Sequence, residues 1–239
     1  MTEKNAKNLM TRRKLISIVL NFSIFAFSSL AVFLACFFAR RDGYYSWHTR
    51  LFYFTQQSNL WIGILSFIFA IFLLKKNASE KSMKIFSCLK FVFTISITIT
   101  CIIFCTLLAP FADFNLWSFS SVLTHVVVPV LSIVDFFTCK EIKESEKKNI
   151  YFSFLPPLVY FVFASILCVC RVDFGRGDAF PYFFMDFYSE VGLFGFKASS
   201  PPQMGSFYWM IFFFAFIFGL SFLFHKLHKI VSKRRSREK

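Results

Sequence analysis

The sequence has few charged residues, and this shortage excludes an ordinary water-soluble core. Only 17% of its 239 residues are charged, against about 25% in an average soluble domain. Hydrophobic residues make up 56%, Phe alone accounts for 39 positions, and the mean hydropathy is +0.59. This composition predicts an integral membrane protein. Its bias towards Phe, Ile, Lys and Ser, with little Ala or Gly, is typical of an AT-rich bacterial genome.

The cysteines lack the pairing that a metal site or a disulfide framework requires. Seven Cys residues lie in or beside apolar stretches, without a Cys-x-x-Cys motif, and small packing residues explain them. The sequence therefore predicts no metal and no cofactor. The net charge is +14, but the basic residues lie in short tails and connections rather than on an aromatic-rich basic face. Nucleic acid is accordingly excluded as a partner.

Six apolar runs are long enough to cross a bilayer, which takes about 20 residues. The runs are continuous, whereas the strands of a membrane β-barrel alternate over about 10 residues. The first run is too long for the core of a signal peptide, so we expect it to remain as a helix. The sequence predicts an all-α integral membrane protein with basic tails at 1–13 and 231–239, a long connection at 173–205, and helices at about 14–39, 51–74, 84–109, 118–139, 150–172 and 206–230.

The basic residues are distributed unevenly among the connections. Counting residues near the ends of the runs with the adjoining segments, twenty of them lie in or beside the two tails and the connections after the second and fourth runs, against six in or beside the other three connections. Because Lys and Arg accumulate on the cytoplasmic side, we predict that both termini are cytoplasmic in a multi-pass protein of the bacterial cell membrane. Membrane lipids are the expected partners, and the sequence leaves the oligomeric state open.

The connection 173–205 is too long and too aromatic for a plain linker. Its central segment 180–187 reads Phe-Pro-Tyr-Phe-Phe-Met-Asp-Phe, and loops of this length are usually functional or disordered. We expect it to fold over the external mouth of the bundle. Tyr182 is then a candidate substrate contact, and Asp186 and Glu190 are candidate gate or acid groups.

Two polar interruptions stand inside the apolar runs. The second run opens on Thr55, and Ser58 and Asn59 follow at the spacing that puts all three on one helix face. The fourth run contains His125, one turn before Pro129. At about 1.5 Å per residue, Thr55 and His125 lie roughly 7 Å and 10 Å from the outer ends of their helices. Their similar depth makes a meeting possible.

A chemistry follows if these two side chains meet. A threonine hydroxyl needs a neighbouring base to act as a nucleophile, and a desolvated, neutral His125 can accept its proton. Asn59 or Gln56 is a candidate to orient the imidazole or to donate to a developing oxyanion, and Pro129 is expected to bend the helix beside the site. A nucleophile at this depth suits an ester within a lipid of the outer leaflet.

Two alternatives to this chemistry stay open. Polar side chains also hydrogen-bond across membrane helices simply to hold a bundle together, and the same pocket suits a transporter, a channel or a lipid-binding protein. Asp135 lies about 15 Å deeper than His125, which excludes it as a third catalytic member, and we expect it to pair with a lysine such as Lys84 or Lys148 or to cap an interhelical contact. The remaining histidines are expected at the membrane interfaces, namely His48, His225 and His228.

Three blocks in the same order resemble the motifs of a bacterial family of six-helix integral membrane proteins. The segment 54–60 resembles its FTxxSNL signature, the segment 123–136 its LHxxxPxxxxxDW segment, and the segment 180–186 its YPYPFLD loop. The likeness covers most of the chain, from about 14 to 230.

A more remote resemblance leads to the eukaryotic androgen-induced and androgen-dependent membrane proteins. Those proteins hydrolyse fatty acid esters of hydroxy fatty acids with a membrane-embedded threonine and histidine. The resemblance implies Thr55 as nucleophile and His125 as base. The chain departs from the eukaryotic pattern at Gln56 and Gln57, where those proteins are more apolar, and it lacks their second, flanking histidine.

Overall fold

The structure is a computed structural model, which describes residues 3–75, 79–111, 116–175, 177–198 and 203–237. Six helical segments within these ranges are long and apolar enough to cross a membrane, which confirms the predicted all-α, multi-pass membrane class. The helices are α1 (Glu3–Phe37), α2 (Phe54–Leu74), α3 (Glu80–Ile103), α4 (Phe119–Val122), α5 (Val128–Thr138), α6 (Lys148–Phe152), α7 (Leu155–Val169) and α8 (Ser206–Arg237).

The outer bounds of the bundle differ from the predicted tails. α1 begins at Glu3 and α8 ends at Arg237, so both apolar runs continue as helix into the basic segments. Lys and Arg are good helix formers, and neither segment contains the proline or glycine that would end a helix. Residues 1–2 and 238–239 lie outside the described ranges.

Three of the six spans are interrupted, and a proline follows each interruption closely, at Pro110, Pro129 and Pro156. The third span ends in a π-helical turn, Phe104–Leu108, and the fourth contains another, Leu123–Val127, between α4 and α5. The fifth is broken between α6 and α7, just before Pro156 and Pro157. Proline lacks an N–H donor and collides with the carbonyl four residues earlier, so the helix cannot continue with regular geometry.

α1 and α2 form the closest helix pair of the bundle. At Gly63 an added Cβ would lie 2.1 Å from the Ser28 hydroxyl oxygen and 3.2 Å from the Ser28 Cβ, so glycine allows this approach without displacing Ser28. α3 lies in the middle and contacts α2, α5, α7 and α8. The fifth and sixth spans are the least buried by protein, since only 22% of the apolar stretch of each is buried inside the bundle.

We refer below to the end of the bundle that carries residues 170–205 as the loop end, and to the opposite end as the tail end.

The connection between α7 and α8 packs onto the loop end. It buries Phe174, Phe180 and Met185, and Phe174 meets the rings of Phe52 and Tyr53 at centroid distances of 6.1 Å and 6.3 Å. A 3₁₀ turn (Phe183–Met185) and one antiparallel pair of short strands, β1 (Phe196–Lys197) and β2 (Gln203–Met204), are its described elements. Residues 176 and 199–202 lie outside the described ranges.

Candidate functional site

Thr55 and His125 meet at the loop end of the bundle. Thr55 is the second residue of α2, and its Oγ1 lies 3.4 Å from Nε2 of His125, which projects from the π-helical turn Leu123–Val127. Both side chains are buried, at 9% and 7% exposure. The two residues that the sequence placed at a similar depth therefore contact each other.

The π-helical turn that presents His125 has a local cause. Pro129 stands four residues after His125, at the start of α5. Its missing N–H and the bulk of its ring disfavour a regular bond to the His125 carbonyl, and Val128 N–H instead bonds to the carbonyl of Leu123, five residues back. Such single wide turns are frequent at functional sites. The turn moves the imidazole relative to the face it would occupy on a regular helix.

Hydrogen bonding at Nδ1, the ring nitrogen that does not face Thr55, fixes the tautomer of His125. Nδ1 lies 2.9 Å from the backbone carbonyl oxygen of Ser121, and a carbonyl only accepts, so Nδ1 carries the proton. Nε2 is then the unprotonated nitrogen facing Thr55. The ring of Phe104 stacks on the imidazole with a centroid distance of 3.6 Å and an interplanar angle of 12°. The imidazole is thus held in one tautomer and one orientation.

Asn59 connects the two halves of the site. Its Nδ2 donates to the carbonyl oxygen of Thr55 at 2.8 Å and to that of Thr124 at 3.2 Å. Both amide hydrogens are used in this way, so Asn59 joins α2 to the turn that carries His125 and has no donor left for a substrate. Its Oδ1 has no hydrogen-bond partner among the described residues.

Two other polar residues near Thr55 face away from the cavity described next. Ser58 donates to the Thr55 carbonyl oxygen at 3.1 Å and lies 2.9 Å from Oγ1 of Thr100 on α3, which makes it an interhelical contact. Gln56 is buried, and its Oε1 has no partner within the part of the chain that the structure describes. Neither residue lines the cavity.

An apolar cavity of about 130 Å³ begins at Thr55. Its head holds the side chains of Thr55, Tyr160 and Tyr182, and its walls come from α3, α7, α8 and the 3₁₀ turn of the long connection. The stacked rings of Phe154 and Phe214, with centroids 5.7 Å apart, lie in the wall towards the tail end. The cavity offers an apolar space with hydroxyl groups at one end.

The long connection supplies Tyr182 to this head. Tyr182 stacks on Phe184 at a centroid distance of 5.0 Å and packs edge-on against Tyr53. Burial raises the pKa of the Tyr182 hydroxyl, and hydrogen bonding with Thr55 opposes that rise. The hydroxyls of Tyr182 and Thr55 are therefore neighbours at the cavity head.

The two acidic residues predicted as gate groups lie in the loop structure instead. Asp186 Oδ1 accepts from the Tyr188 N–H at 3.0 Å, which closes a turn, and Asp186 does not line the cavity. Glu190 is exposed and pairs with Lys197, which lowers the pKa of its carboxyl group. Both carboxylates have partners in the connection itself.

Asp135 has a different partner from the two lysines that the sequence suggested. It pairs with Lys90 at 2.8 Å, and both are essentially inaccessible, at 0% and 1% exposure. The prediction of Lys84 or Lys148 is wrong, because that reasoning considered only lysines at helix ends. Lys90 lies eleven positions into the span Glu80–Leu108. The signal that would have found it is a lone lysine inside an apolar run.

Two of the three histidines expected at interfaces are buried. His225 and His228 are 6% and 0% exposed, because residues 139–147 fold against the end of α8. Ser145 connects them, with its Oγ 3.3 Å from Nδ1 of His225 and its N–H donating to Nδ1 of His228 at 3.3 Å. His48 is exposed and lies 2.7 Å from Ser46 Oγ.

Comparisons of the chain with family models, with curated proteins and with solved structures find no match. Among the described residues, no group of three or more His, Cys, Asp or Glu side chains is arranged to hold a metal ion. The interpretation of the site therefore rests on its own geometry, a buried hydroxyl–imidazole pair at the head of an apolar cavity.

Proposed function

We propose that the protein is an intramembrane threonine hydrolase that cleaves fatty acyl esters of lipids. The observation that carries the proposal is the position of Thr55, whose Oγ1 faces Nε2 of His125 at 3.4 Å and lines the apolar cavity. A nucleophile, a base and a space for a hydrocarbon chain are the three parts that this reaction needs.

The reaction divides into two acyl transfers. His125 Nε2 takes the proton of Thr55 as Oγ1 bonds to the ester carbonyl carbon, and the imidazolium then gives this proton to the departing alkoxide, which leaves as an alcohol. The acyl group remains on Thr55. Water, activated by the same imidazole, attacks the acyl-threonine and releases a carboxylic acid. Both the hydroxyl and the neutral imidazole are regenerated.

The separation of the two reacting atoms is compatible with this role. Direct proton transfer takes place at about 2.6–3.2 Å, and catalytic hydrogen bonds are often longer in the absence of substrate. His125 needs no change of tautomer, since the Ser121 carbonyl oxygen already holds the proton on Nδ1. A small shift of the Thr55 rotamer shortens the contact when substrate fills the cavity.

The substrate class follows from the cavity walls. They are built largely from Phe, Leu, Ile and Met side chains, and none of the lining residues is charged. An acyl chain gains free energy in such a space in proportion to the apolar area that it buries. With the predicted orientation, the ester enters laterally from the outer leaflet and its acyl chain runs along α7 and α8.

A fluorophosphonate probe tests the nucleophile directly. We expect the detergent-purified wild type to be labelled, and Thr55→Ala and His125→Ala to lose labelling. Thr98→Ala is the matched control, because Thr98 is another buried membrane threonine, its hydroxyl donates to the Thr94 carbonyl oxygen, and it is not among the residues that line the cavity. Equal labelling of the wild type and Thr55→Ala would remove Thr55 as the nucleophile.

A lipid-binding protein without catalysis is the second candidate. The observation that favours it is the 3.4 Å contact between Thr55 and His125, which is longer than an established proton-transfer distance. Fluorescent fatty acid binding separates the candidates. Binding in the cavity together with no Thr55-dependent hydrolysis of a p-nitrophenyl acyl ester would favour the second candidate over the first.

A further inference from the structure

One hydroxyl at the head of the cavity, that of Tyr160, makes no hydrogen bond of regular geometry to the described residues, although the Tyr182 hydroxyl and the Phe54 backbone lie near it. Tyr160, on α7, is 5% exposed and lines the cavity, and its hydroxyl oxygen has no hydrogen-bond partner within the described part of the chain. Buried hydroxyls are nearly always hydrogen-bonded, and an exception in a native structure calls for an explanation. A ligand group that accepts a hydrogen bond is one such explanation.

The surroundings of Tyr160 place this hydroxyl beside the nucleophile. Its ring packs against Phe54 at a centroid distance of 5.1 Å and against Tyr182 at 6.3 Å. Phe54 immediately precedes Thr55, and the Tyr182 hydroxyl is itself a neighbour of Thr55. The free O–H of Tyr160 is therefore at the same end of the cavity as the Thr55 hydroxyl.

The other polar groups near Thr55 are engaged elsewhere. Asn59 uses both amide hydrogens on backbone carbonyls, and Gln56 does not line the cavity. Ser58 and Thr100 are hydrogen-bonded to each other. The Tyr182 hydroxyl interacts with Thr55 itself, so Tyr160 is the cavity hydroxyl that has no regular hydrogen bond to the described residues and can donate to a developing oxyanion.

We propose that the Tyr160 hydroxyl is a catalytic residue that donates a hydrogen bond to the carbonyl oxygen of the ester. This role rests on the proposed hydrolase function. As Thr55 Oγ1 bonds to the carbonyl carbon, the electron pair of the C=O π bond moves onto oxygen, and the hydrogen bond from Tyr160 strengthens. The proton stays on Tyr160, and the pair returns to the C=O bond when the alkoxide leaves. A preorganised donor of this kind stabilises the transition state more than the ground state.

The same site selects a carboxylic ester over a phosphoester. A phosphoester carries a negative charge that needs Lys, Arg or a metal ion, and none of the residues that line the cavity is charged. A neutral phenol in an apolar wall suits the neutral carbonyl of an acyl ester, which gains charge only during the reaction.

Tyr160→Phe tests the role with p-nitrophenyl octanoate as substrate and detergent-purified full-length protein. We expect kcat to fall about 10²-fold, the loss typical of one oxyanion donor, with little change in KM. We expect the Tm to change little, because the removed hydroxyl makes no hydrogen bond of regular geometry to the described residues. Tyr53→Phe is the matched control: Tyr53 belongs to the same aromatic cluster, but its hydroxyl donates to the Phe174 carbonyl oxygen at 3.2 Å. Its kcat is expected to match the wild type.

The outcomes separate this proposal from the one on which it rests. If Thr55→Ala abolishes hydrolysis while Tyr160→Phe keeps the wild-type kcat, the oxyanion role is overturned and the hydrolase stands. Equal hydrolysis by the wild type and Thr55→Ala overturns both. If Tyr160→Phe lowers the Tm, 3-fluorotyrosine at position 160 decides, since it keeps the hydroxyl and makes it a stronger donor. A raised kcat then supports the role, and an unchanged or lowered kcat overturns it.

Discussion

The bundle buries two polar clusters, and they differ in how completely their atoms are hydrogen-bonded. In the inner cluster, Lys90 donates to Asp135 at 2.8 Å, to Ser66 at 3.0 Å and to Asn21, while Asp135 also accepts from Ser17 at 2.9 Å and from Asn21 at 2.8 Å. In the loop-end cluster around Thr55, three buried oxygen atoms have no hydrogen-bond partner among the described residues: Oε1 of Gln56, Oδ1 of Asn59 and the hydroxyl oxygen of Tyr160.

This difference separates a structural role from a binding role. A fully satisfied buried network rigidifies a core and selects one packing, whereas unpaired polar groups at low dielectric cost stability. The Lys90–Asp135 network is not part of the cavity lining, while Thr55 and Tyr160 both are. The cluster with the larger charges therefore holds helices together, and the cluster with only neutral groups is the one that we propose to receive a substrate.

The largest expected effect concerns catalysis at the loop end. Thr55→Ala is expected to lower kcat by about 10³-fold or more, as removal of a nucleophile does, while stability changes little because the contact to His125 is one neutral interhelical bond. Hydrolysis of p-nitrophenyl octanoate and thermal unfolding measure the two quantities. A Lys90→Met/Asp135→Leu variant that folds is expected to keep its hydrolysis, and a comparable loss there would show that the clusters are not separate.

The next effect concerns stability at the inner cluster. Asp135→Leu leaves the Lys90 ammonium buried without its counter-charge, so we expect a loss of about 3–5 kcal/mol in the free energy of unfolding. Denaturant unfolding in mixed micelles measures it. Glu146→Leu is the control, because this carboxylate pairs with Lys148 at the surface and its loss leaves no charge buried. Equal effects of the two substitutions would contradict the structural role.

The double variant Lys90→Met/Asp135→Leu is expected to recover most of that loss. Replacing a buried ion pair by apolar residues of similar volume is often neutral, although Asn21, Ser17 and Ser66 then lose partners. A double-mutant cycle with the two single variants gives the coupling energy. Additive losses, with no recovery in the double variant, would show that the two charges do not depend on each other.

The smallest expected effect concerns the hydrogen bond between Ser58 on α2 and Thr100 on α3. Ser58→Ala removes the contact between α2 and α3 at Thr100, and such membrane hydrogen bonds average about 0.6 kcal/mol. Ser132→Ala is its control, since Ser132 bonds only within its own helix, to Val128 at 2.8 Å. A much larger loss for Ser58→Ala, accompanied by a lower kcat, would extend the site to Ser58.

The sequence predicted the site residues that stand out in the local sequence pattern, and it missed the one that stands out only in the packed structure. Thr55 and His125 were found because each interrupts a long apolar run, and helix geometry alone fixes their depth. Tyr160 was missed because a tyrosine in an aromatic-rich span carries no local signal. What distinguishes it is the absence of a partner for its hydroxyl, which depends on the positions of α2 and the long connection.

In the inner cluster, the sequence likewise did not predict which buried charges pair with each other. The reasoning from Asp135 to a lysine at a helix end followed the rule that charges avoid the bilayer. Lys90 satisfies that rule in another way, through three other helices that each supply a polar partner or a counter-charge. Pairing across helices depends on rotation about each helix axis, which a single sequence does not encode locally.

The sequence by itself determined the class of this protein: six apolar helices in a membrane, with two polar residues at matching depth in the second and fourth. Composition and run length decide this, because hydrocarbon requires about 20 apolar residues per helical span. Only the tertiary structure decided that Thr55 faces His125, that the π-helical turn before Pro129 presents the imidazole, and that a cavity begins at Thr55. Those facts depend on how helices rotate and pack against each other, which side-chain contacts between distant segments determine.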